Sequence, residues 1–141
     1  MSDLMRALKE TIAINKETNE KLDLIRQLDA VKTKPGVLEL KAGVKLDTIF
    51  SNGSTITIAS YPKMGSNTPT HSHKEIVEYL ICTKGSVSVT FNGGYRILKV
   101  RECASIPEGC PHSTTALENN SEMIAICVPA EPAYKSSMGC K

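Results

Sequence analysis

Between residues 44 and 128, short runs rich in β-branched residues alternate with turn signals, and this pattern constrains the fold more than any other feature of the chain. The runs are VKLDTIF, STITIAS, EYLICT, SVSVTF, YRILKV and EMIAICV, and the turn signals include SNGS, MGSN, TKG, NGG, PEGCP and ENN. Within Ser86–Phe91, apolar and polar residues alternate, as in a strand with one buried face. Asn92-Gly93, directly after that run, is a strong hairpin signal. The spacing predicts an all-β sandwich or barrel.

The first 31 residues contain neither Gly nor Pro, and their apolar positions recur at three- and four-residue steps, which predicts a helix. The polar stretch NKETNEK predicts a bend or a break, and Pro35-Gly36 is expected to end the helix. We therefore divide the chain into a helical arm at residues 1–34, a β-barrel at residues 35–130 and a tail at residues 131–141. The arm is expected to dock on the barrel or on a second subunit. The alternative is a mostly solvated extension.

Composition excludes several classes of function. The 141 residues suffice for one ordinary domain. The 17 Lys and Arg residues are interleaved with 15 Asp and Glu, and there is no Trp, so we expect no nucleic-acid partner. No apolar run reaches the roughly 18 residues of a membrane span, and the start lacks the apolar core of a secretory signal, so no membrane association is expected. The five cysteines form no C-x-x-C pair, which predicts reduced thiols and a cytoplasmic protein.

The three histidines of the chain have the spacing of metal ligands. His71 and His73 form an H-x-H pair, and on a strand both side chains point to the same face. Glu78 follows across an expected turn, and His112 lies 39 residues after His73 in a loop stiffened by two prolines and a glycine. Three imidazoles and one carboxylate suit a divalent Fe, Mn, Ni, Co or Zn ion.

Two alternatives to this set of metal ligands remain open. A single histidine in a β protein is more often a hydrogen-bonded structural residue than a ligand, and a bare H-x-H pair arises easily by chance. Glu75 competes with Glu78, because on a strand that ran straight through Lys74 it would share the face of the two histidines. The residue spacing leaves this choice open.

The segment GSNTPTHSHKEIVEYLICTKG resembles the first motif of the cupin family, G-x5-H-x-H-x4-E-x6-G, at every defined position. The segment PEGCPH is similar to the centre of the second cupin motif, P-x-G-x2-H. The resemblance covers roughly residues 36–130. It implies a double-stranded β-helix, or jelly roll, with one divalent metal ion held by His71, His73, Glu78 and His112. It also favours Glu78 over Glu75, and it implies a homodimer. The arm lies outside the resemblance, and its apolar positions make it a candidate for the dimer interface.

The second motif departs from the family on both sides of its centre. Arg101 stands where the family has a glycine six residues before the proline, which puts the turn before that strand in doubt. Ala116 stands where the family often has an asparagine. Neither departure removes a metal ligand.

The resemblance does not decide the reaction, because cupins include dioxygenases, isomerases, decarboxylases, lyases and binding modules. Our first hypothesis is a metal-dependent enzyme of oxygenase, isomerase or lyase type that acts on a small polar molecule. An acid or base would have to be water on the ion or another side chain, and the candidates near the first motif are Glu75, Tyr79, Tyr61 and Cys82. The second hypothesis is a ligand-binding or sensing module in which the metal anchors a small ligand or is structural.

Overall fold

The computed structural model describes residues 24–51 and 53–131, in which residues 24–28 are helical and eleven strands follow. The strands are β1 (Ala30–Lys34), β2 (Val37–Leu40), β3 (Lys45–Ser51), β4 (Ser54–Tyr61), β5 (Asn67–His71), β6 (Val77–Lys84), β7 (Ser86–Phe91), β8 (Gly94–Lys99), β9 (Cys103–Ile106), β10 (His112–Ala116) and β11 (Ser121–Val128). No helical segment in the described ranges has the length and hydropathy of a membrane span.

The last eight strands pair as one long hairpin wound around itself. β7 pairs with β8, β6 with β9, β5 with β10 and β4 with β11, and each pair is antiparallel. Successive pairs alternate between two sheets, of order β5-β10-β7-β8 and β1-β2-β3-β4-β11-β6-β9. This nested pairing is that of a double-stranded β-helix, and it confirms the predicted all-β jelly roll.

Alternation along the strands produces the core between the two sheets. In β4, half-exposed and buried residues alternate from Ser54 to Tyr61, because successive side chains point to opposite faces of a sheet. Val87 and Val89, on the run that predicted a strand, are fully buried, and Phe91 packs against the same core. The inner faces are therefore small and aliphatic, as the sequence indicated.

The hairpin predicted at Asn92-Gly93 joins β7 to β8, with Phe91 opposite Gly94. Asn92 and Gly93 have φ values of 52° and 74°. A type I′ turn, which follows the twist of the flanking strands, needs positive φ at both of its central positions. The hairpin prediction is confirmed.

The large sheet begins inside the range predicted for the helical arm. The helix ends at residue 28, Asp29 has a φ of 51°, and β1 pairs with β2 from Ala30 onward. Pro35-Gly36, expected to end the helix, instead forms the turn between these two strands. The reason is that proline and glycine stop a helix and make a hairpin turn equally well, and local sequence does not distinguish the two roles.

The described part of the arm packs on its own barrel. Leu24 and Leu28 are each only 2% exposed and belong to the main core. Residues 1–23 of the predicted arm and residues 132–141 of the predicted tail lie outside the described residues.

Candidate metal centre

Strand pairing brings two of the histidines side by side. His71 is the last residue of β5 and His112 is the first residue of β10, and the two are direct partners in the antiparallel register. Their ring centroids lie 4.3 Å apart. The strand that begins at His112, after the two prolines, therefore brings this residue next to the H-x-H pair.

His73 and Glu78 flank a tight turn that leads into the other sheet. Glu75 occupies this turn with a φ of 59° and is exposed, whereas Glu78 lies on β6 and is 6% exposed. One oxygen of Glu78 lies 3.0 Å from Nε2 of His73, and the other lies 3.0 Å from Nε2 of His112. Because the chain turns at Glu75, Glu78 is the one of these two glutamates that faces the histidines.

The three imidazoles converge on a single buried point. One ring nitrogen from each of His71, His73 and His112 lies within 4.8 Å of the other two, and all three side chains are buried. Ligand atoms about 2.1 Å from a common ion would be separated by about 4.2 Å at most. The cluster is therefore close to the dimensions of a metal centre.

Hydrogen bonds to the outer ring nitrogens define which nitrogen faces inward. Nδ1 of His71 donates to the carbonyl of Pro69 at 2.7 Å, and Nδ1 of His112 donates to the carbonyl of Cys110 at 3.0 Å. Nδ1 of His73 donates a hydrogen bond of 2.6 Å to a carboxylate oxygen of Glu131. Carbonyl and carboxylate oxygens accept hydrogen bonds, so each of these Nδ1 atoms carries hydrogen, and a neutral ring then presents a bare Nε2 lone pair to the cluster.

This arrangement requires a positive charge between the side chains. The Nε2 atoms of His73 and His112 are buried and have no hydrogen-bond partner among the described residues. Each nevertheless lies 3.0 Å from a carboxylate oxygen of Glu78. Two lone pairs at that distance repel each other unless a proton or a metal cation lies between them. The side chains present thus fit a cation in the donor set of a transition metal.

The pKa shifts point to the same conclusion. Burial would raise the pKa of Glu78, but His73 and His112 hold it well below its usual range. Burial lowers the pKa of His73, yet the carboxylates of Glu78 and Glu131 outweigh burial and raise it to about 10. For His71, burial and the neighbouring histidines lower the pKa to about 4. The centre therefore combines a fixed carboxylate with a site that favours positive charge.

A cavity of about 40 Å³ adjoins the cluster, which exceeds the roughly 10–15 Å³ that a water molecule needs. The apolar part of its wall is formed by Leu28, Leu46, Ala59, Leu80, Met123 and Ala125. A polar corner is formed by Tyr61, Thr68 and Thr114, whose hydroxyl groups are linked by hydrogen bonds of 2.7 and 2.8 Å. Burial raises the pKa of Tyr61, so its hydroxyl group stays protonated.

Comparison with known proteins identifies the family of the chain. The sequence pattern of the cupin domain matches residues 57–129, slightly more than half of the chain. The chain belongs to the cupin family. The match contains both histidine motifs and the last eight strands of the barrel, apart from the first three residues of β4. No curated protein matches this cupin closely enough to count as a relative.

Solved structures share the fold of this cupin. KdgF from Halomonas sp. is 20% identical, with a TM-score of 0.56, and the match covers 72% of this chain and 87% of that one. An RmlC-like cupin from Shewanella frigidimarina is 14% identical, with a TM-score of 0.59 and coverage of 72% and 94%. A predicted oxalate decarboxylase from Thermotoga maritima is 20% identical, with a TM-score of 0.58 and coverage of 71% and 90%. At these identities the likeness shows the fold alone.

Only one of the four predicted acid–base candidates of this cupin lies at the cavity. Tyr61 lines it, whereas Glu75, Tyr79 and Cys82 do not. Glu75 is exposed on its turn, and Tyr79 points outward from β6 with 44% of its surface exposed. Cys82 does face inward, like Glu78, but it lies four residues further along β6, and its thiol contacts the carbonyls of Lys84 and Gly85.

The sequence analysis missed two residues that contact the predicted ligands. Glu131 is buried and holds His73 from a position 58 residues further along the chain. Cys127 is opposite Glu78 in the strand register, and its thiol lies 3.3 Å from Oε2 of that residue. Alternation in EMIAICV could have placed Cys127 on the inner face. No local pattern marks Glu131.

Proposed function

We propose that this cupin binds one divalent transition metal ion, Fe, Mn, Ni, Co or Zn, through His71, His73, Glu78 and His112, and that the ion binds a small molecule. The observation that carries the proposal is the direction of the rings. All three Nδ1 atoms are held by protein oxygens, so the Nε2 atoms are left to face the cluster, and those of His73 and His112 each lie 3.0 Å from the carboxylate of Glu78. Three nitrogen ligands and one carboxylate ligand would leave coordination positions for water or substrate.

We further propose that the protein is an enzyme that uses this centre on a small polar molecule, in an oxygenase, isomerase or lyase reaction. When bound, the ion would supply Lewis-acid chemistry at a substrate oxygen. The residues of the chain orient the ligands, exclude bulk water through the aliphatic wall, and offer the hydroxyl group of Tyr61 as a hydrogen-bond donor beside the cluster. Tyr61 is the one side chain among the four acid–base candidates that is in a position to contact a bound molecule.

The alternative is a ligand-binding or sensing module in which the ion anchors its ligand. The scarcity of proton-transfer groups favours this second function. Apart from the four proposed metal ligands, the described residues of the cavity wall offer only Tyr61, Cys127 and three threonines as groups with an acidic hydrogen. Burial raises the pKa of both Tyr61 and Cys127, which makes either a poor base near neutral pH.

Metal content tests the proposed centre, and the substitutions of Glu78 and Glu75 serve as test and control. We expect about one ion per chain in protein purified without chelator. Glu78→Gln should weaken metal binding by at least tenfold, because it removes the charged ligand and its two contacts with the histidines. Glu75→Gln should leave binding unchanged, because that side chain is exposed on the turn. Equal effects of the two substitutions, or metal-free protein that does not bind added ions, would contradict the proposal.

Cobalt substitution distinguishes a centre with open positions from a closed structural one. Azide or acetate should change the visible spectrum of the cobalt-loaded protein if the ion keeps positions for exogenous ligands. An unchanged spectrum would indicate a closed site. Any molecule that changes the spectrum can then be incubated with the loaded protein, with the His112→Ala variant as control. Consumption by the wild-type protein alone indicates an enzyme, and full recovery indicates a binding module.

We also propose a homodimer formed through the outer face of the large sheet. In the strand register, Ile49, Ile56, Ile126 and Tyr79 form one apolar row across four neighbouring strands. Ile58, Ile124 and Ile81 form part of the next row. The patch spans about 14 Å across the strands, and a contiguous apolar surface of this kind is typical of an interface. A second copy is the favoured occupant because sheets pack face to face through apolar surfaces, and most oligomers are symmetric assemblies of identical chains.

Light scattering tests the dimer. Tyr79→Lys places a charge in the middle of the patch and should give a monomer. Tyr95→Lys, on β8 of the other sheet and 73% exposed, is the control and should remain dimeric. A deletion of residues 1–23 that leaves the mass per particle at two chains would show that this part of the arm does not form the interface. A monomeric wild-type protein would contradict the proposal.

For localisation we propose the cytoplasm. The four cysteines within the described residues are free, and two of them are buried. Free thiols persist in reducing compartments. Thiol titration of protein prepared from the cell under acid quench should give five free thiols per chain, matching the five cysteines of the sequence; oxidised cysteines in that sample would contradict the proposal.

A further inference from the structure

We propose that Leu28 limits the length of the molecule that binds in the cavity beside the histidine cluster. We further propose that this molecule has one oxygen-containing group that binds the ion and a short aliphatic chain without a second charge. The proposal rests on the metal centre proposed above and goes further, since it specifies the class of ligand and the residue that selects it.

The position of Leu28 carries the first step. Leu28 comes from the helical segment at residues 24–28, yet it lines the cavity beside the histidine cluster. It is 2% exposed, and so is Leu24, one turn earlier in the same segment. Leu24 also belongs to the core but does not line the cavity. One leucine of the segment is therefore a wall of the cavity, and the other anchors the segment.

Hydrogen bonds hold this wall in place at the metal ligands. The side-chain amide of Gln27 accepts from the backbone N–H of Ser72 at 2.7 Å and donates to the backbone carbonyl of Ser72 at 3.0 Å. Ser72 is the residue between His71 and His73. Paired bonds of this kind fix both the distance and the angle between two segments. The Leu28 wall is thus attached directly to the backbone of the H-x-H pair.

Leu28 lies outside the part of the chain that the cupin pattern matches. The cupin match begins at residue 57, so the family pattern supplies the histidines, the glutamate and most of the cavity. Leu28 and Leu46 are the lining residues that come from before the match. Specificity among proteins that share a fold resides in residues added to the common frame, and these two leucines fit that description.

The chemistry of the cavity wall defines the ligand class. Apart from the cluster and the polar corner at Tyr61, the described lining residues are mainly aliphatic, and none of them is Lys or Arg. A second carboxylate or a phosphate on the ligand would lie among methyl groups without a cationic partner, which is costly. An alkyl chain would instead gain about fourfold in affinity for each methylene group that the cavity buries, up to the length at which it reaches Leu28.

Simple carboxylates test both parts of the inference on the cobalt-loaded, full-length protein. Dissociation constants for acetate, propanoate, butanoate and hexanoate are obtained from the visible spectrum, for the wild type and for the Leu28→Ala and Leu24→Ala variants. We expect wild-type affinity to rise with chain length and then to fall. In Leu28→Ala, the affinity should begin to fall only at longer acids. Hexanoate should therefore bind to this variant at least tenfold more tightly than it binds to the wild type. Leu24→Ala should keep the wild-type length limit.

A dicarboxylate of matched length provides the second comparison. Succinate has the same number of carbons as butanoate, and we expect it to bind at least tenfold more weakly. Binding of succinate as tight as that of butanoate would overturn the assigned ligand class. The same length limit in the wild type and in Leu28→Ala, or an equal shift in both leucine variants, would overturn the role of Leu28.

The remaining outcomes separate this inference from the metal centre on which it rests. A wild-type protein that binds no cobalt overturns the proposed centre and this inference together. A protein that binds cobalt and responds to acetate, but shows no length limit that depends on Leu28, overturns this inference alone. Leu28→Val, a milder truncation, serves if Leu28→Ala does not fold, and it should shift the limit in the same direction by a smaller amount.

Discussion

At the scale of single residues, the candidate centre depends on side chains that orient the ligands as much as on the ligands themselves. Glu131 accepts the Nδ1 proton of His73 at 2.6 Å, while carbonyls do the same for His71 and His112. The bond from Glu131 differs from the other two because it comes from a charged side chain, which makes the imidazole a stronger donor to a cation. His73 is therefore the proposed ligand whose affinity for an ion can be changed by a substitution at a residue that does not itself contact the ion.

Replacing Glu131 tests this dependence. Glu131→Ala should weaken metal binding by about 10- to 100-fold, because His73 loses the partner that fixes its ring and its tautomer. Glu131→Gln should restore part of the affinity, since the amide oxygen can still accept the Nδ1 proton. Isothermal titration with Zn²⁺ or Co²⁺ measures both effects. Glu108→Ala is the matched control, an exposed acid in the loop before His112, and it should leave the affinity unchanged. Equal affinities for Glu131→Ala and the wild type would show that Glu131 does not support the centre.

At the scale of elements, turns with positive φ determine how the strands return to the centre. Gly85, the last glycine of the first motif, has a φ of 67°, and a Cβ atom there would collide with the side chain of Ser121. Arg101 stands where the family has a glycine, and it also has a positive φ, 74°. The turn before β9 is thus retained despite the departure from the motif, with backbone bonds from Arg101 to Cys82 and from Glu102 to Lys99.

Arg101→Gly should therefore stabilise the protein. A side chain in the left-handed region costs roughly 1–2 kcal/mol, and glycine removes that cost but adds about 0.5–1 kcal/mol of backbone entropy to the unfolded chain. We expect the free energy of unfolding to rise by up to about 1 kcal/mol, measured by urea denaturation. Arg96→Gly is the control: Arg96 lies within β8 without a positive φ, so glycine there should lower stability. A loss of stability in both variants would show that Arg101 is not strained.

The elements also show which features a sequence reveals. Strand alternation and the Asn92-Gly93 turn were predictable because their causes lie within a few residues. The convergence of His71, His73 and Glu78 followed from strand parity and one turn. Strand parity gives the face of a residue but not whether its position along the strand lies at the cavity, which is why Cys82 shares a face with Glu78 and yet lies away from the cavity. Glu131 meets His73 across 58 residues, and no local pattern encodes a contact of that range.

At the scale of the whole molecule, the candidate centre joins the two sheets of the barrel. His71 and His112 belong to β5 and β10 of the four-stranded sheet, whereas Glu78 belongs to β6 of the seven-stranded sheet. The hydrophobic core between the sheets consists mainly of small and aliphatic side chains. An ion bound by all of these ligands would therefore link the two layers at one end of the core, and its binding free energy would add to the stability of the barrel as a whole.

Thermal unfolding measures how much metal binding stabilises the barrel. An ion that binds only the native state, at a free concentration 100 times its dissociation constant, stabilises it by about 2.7 kcal/mol, which for a domain of this size raises Tm by roughly 5–10 °C. Addition of Zn²⁺ or Co²⁺ to chelator-treated protein should produce this rise in Tm. Amide hydrogen exchange should slow in β5 and β6 alike, because one ion restrains both sheets.

His112→Ala should lose most of the rise in Tm, whereas Cys110→Ala, close to His112 in sequence but outside the cluster, should retain it. A rise of equal size in the His112→Ala variant would place the binding site elsewhere, and protection confined to β5 would show that the ion does not connect the two layers.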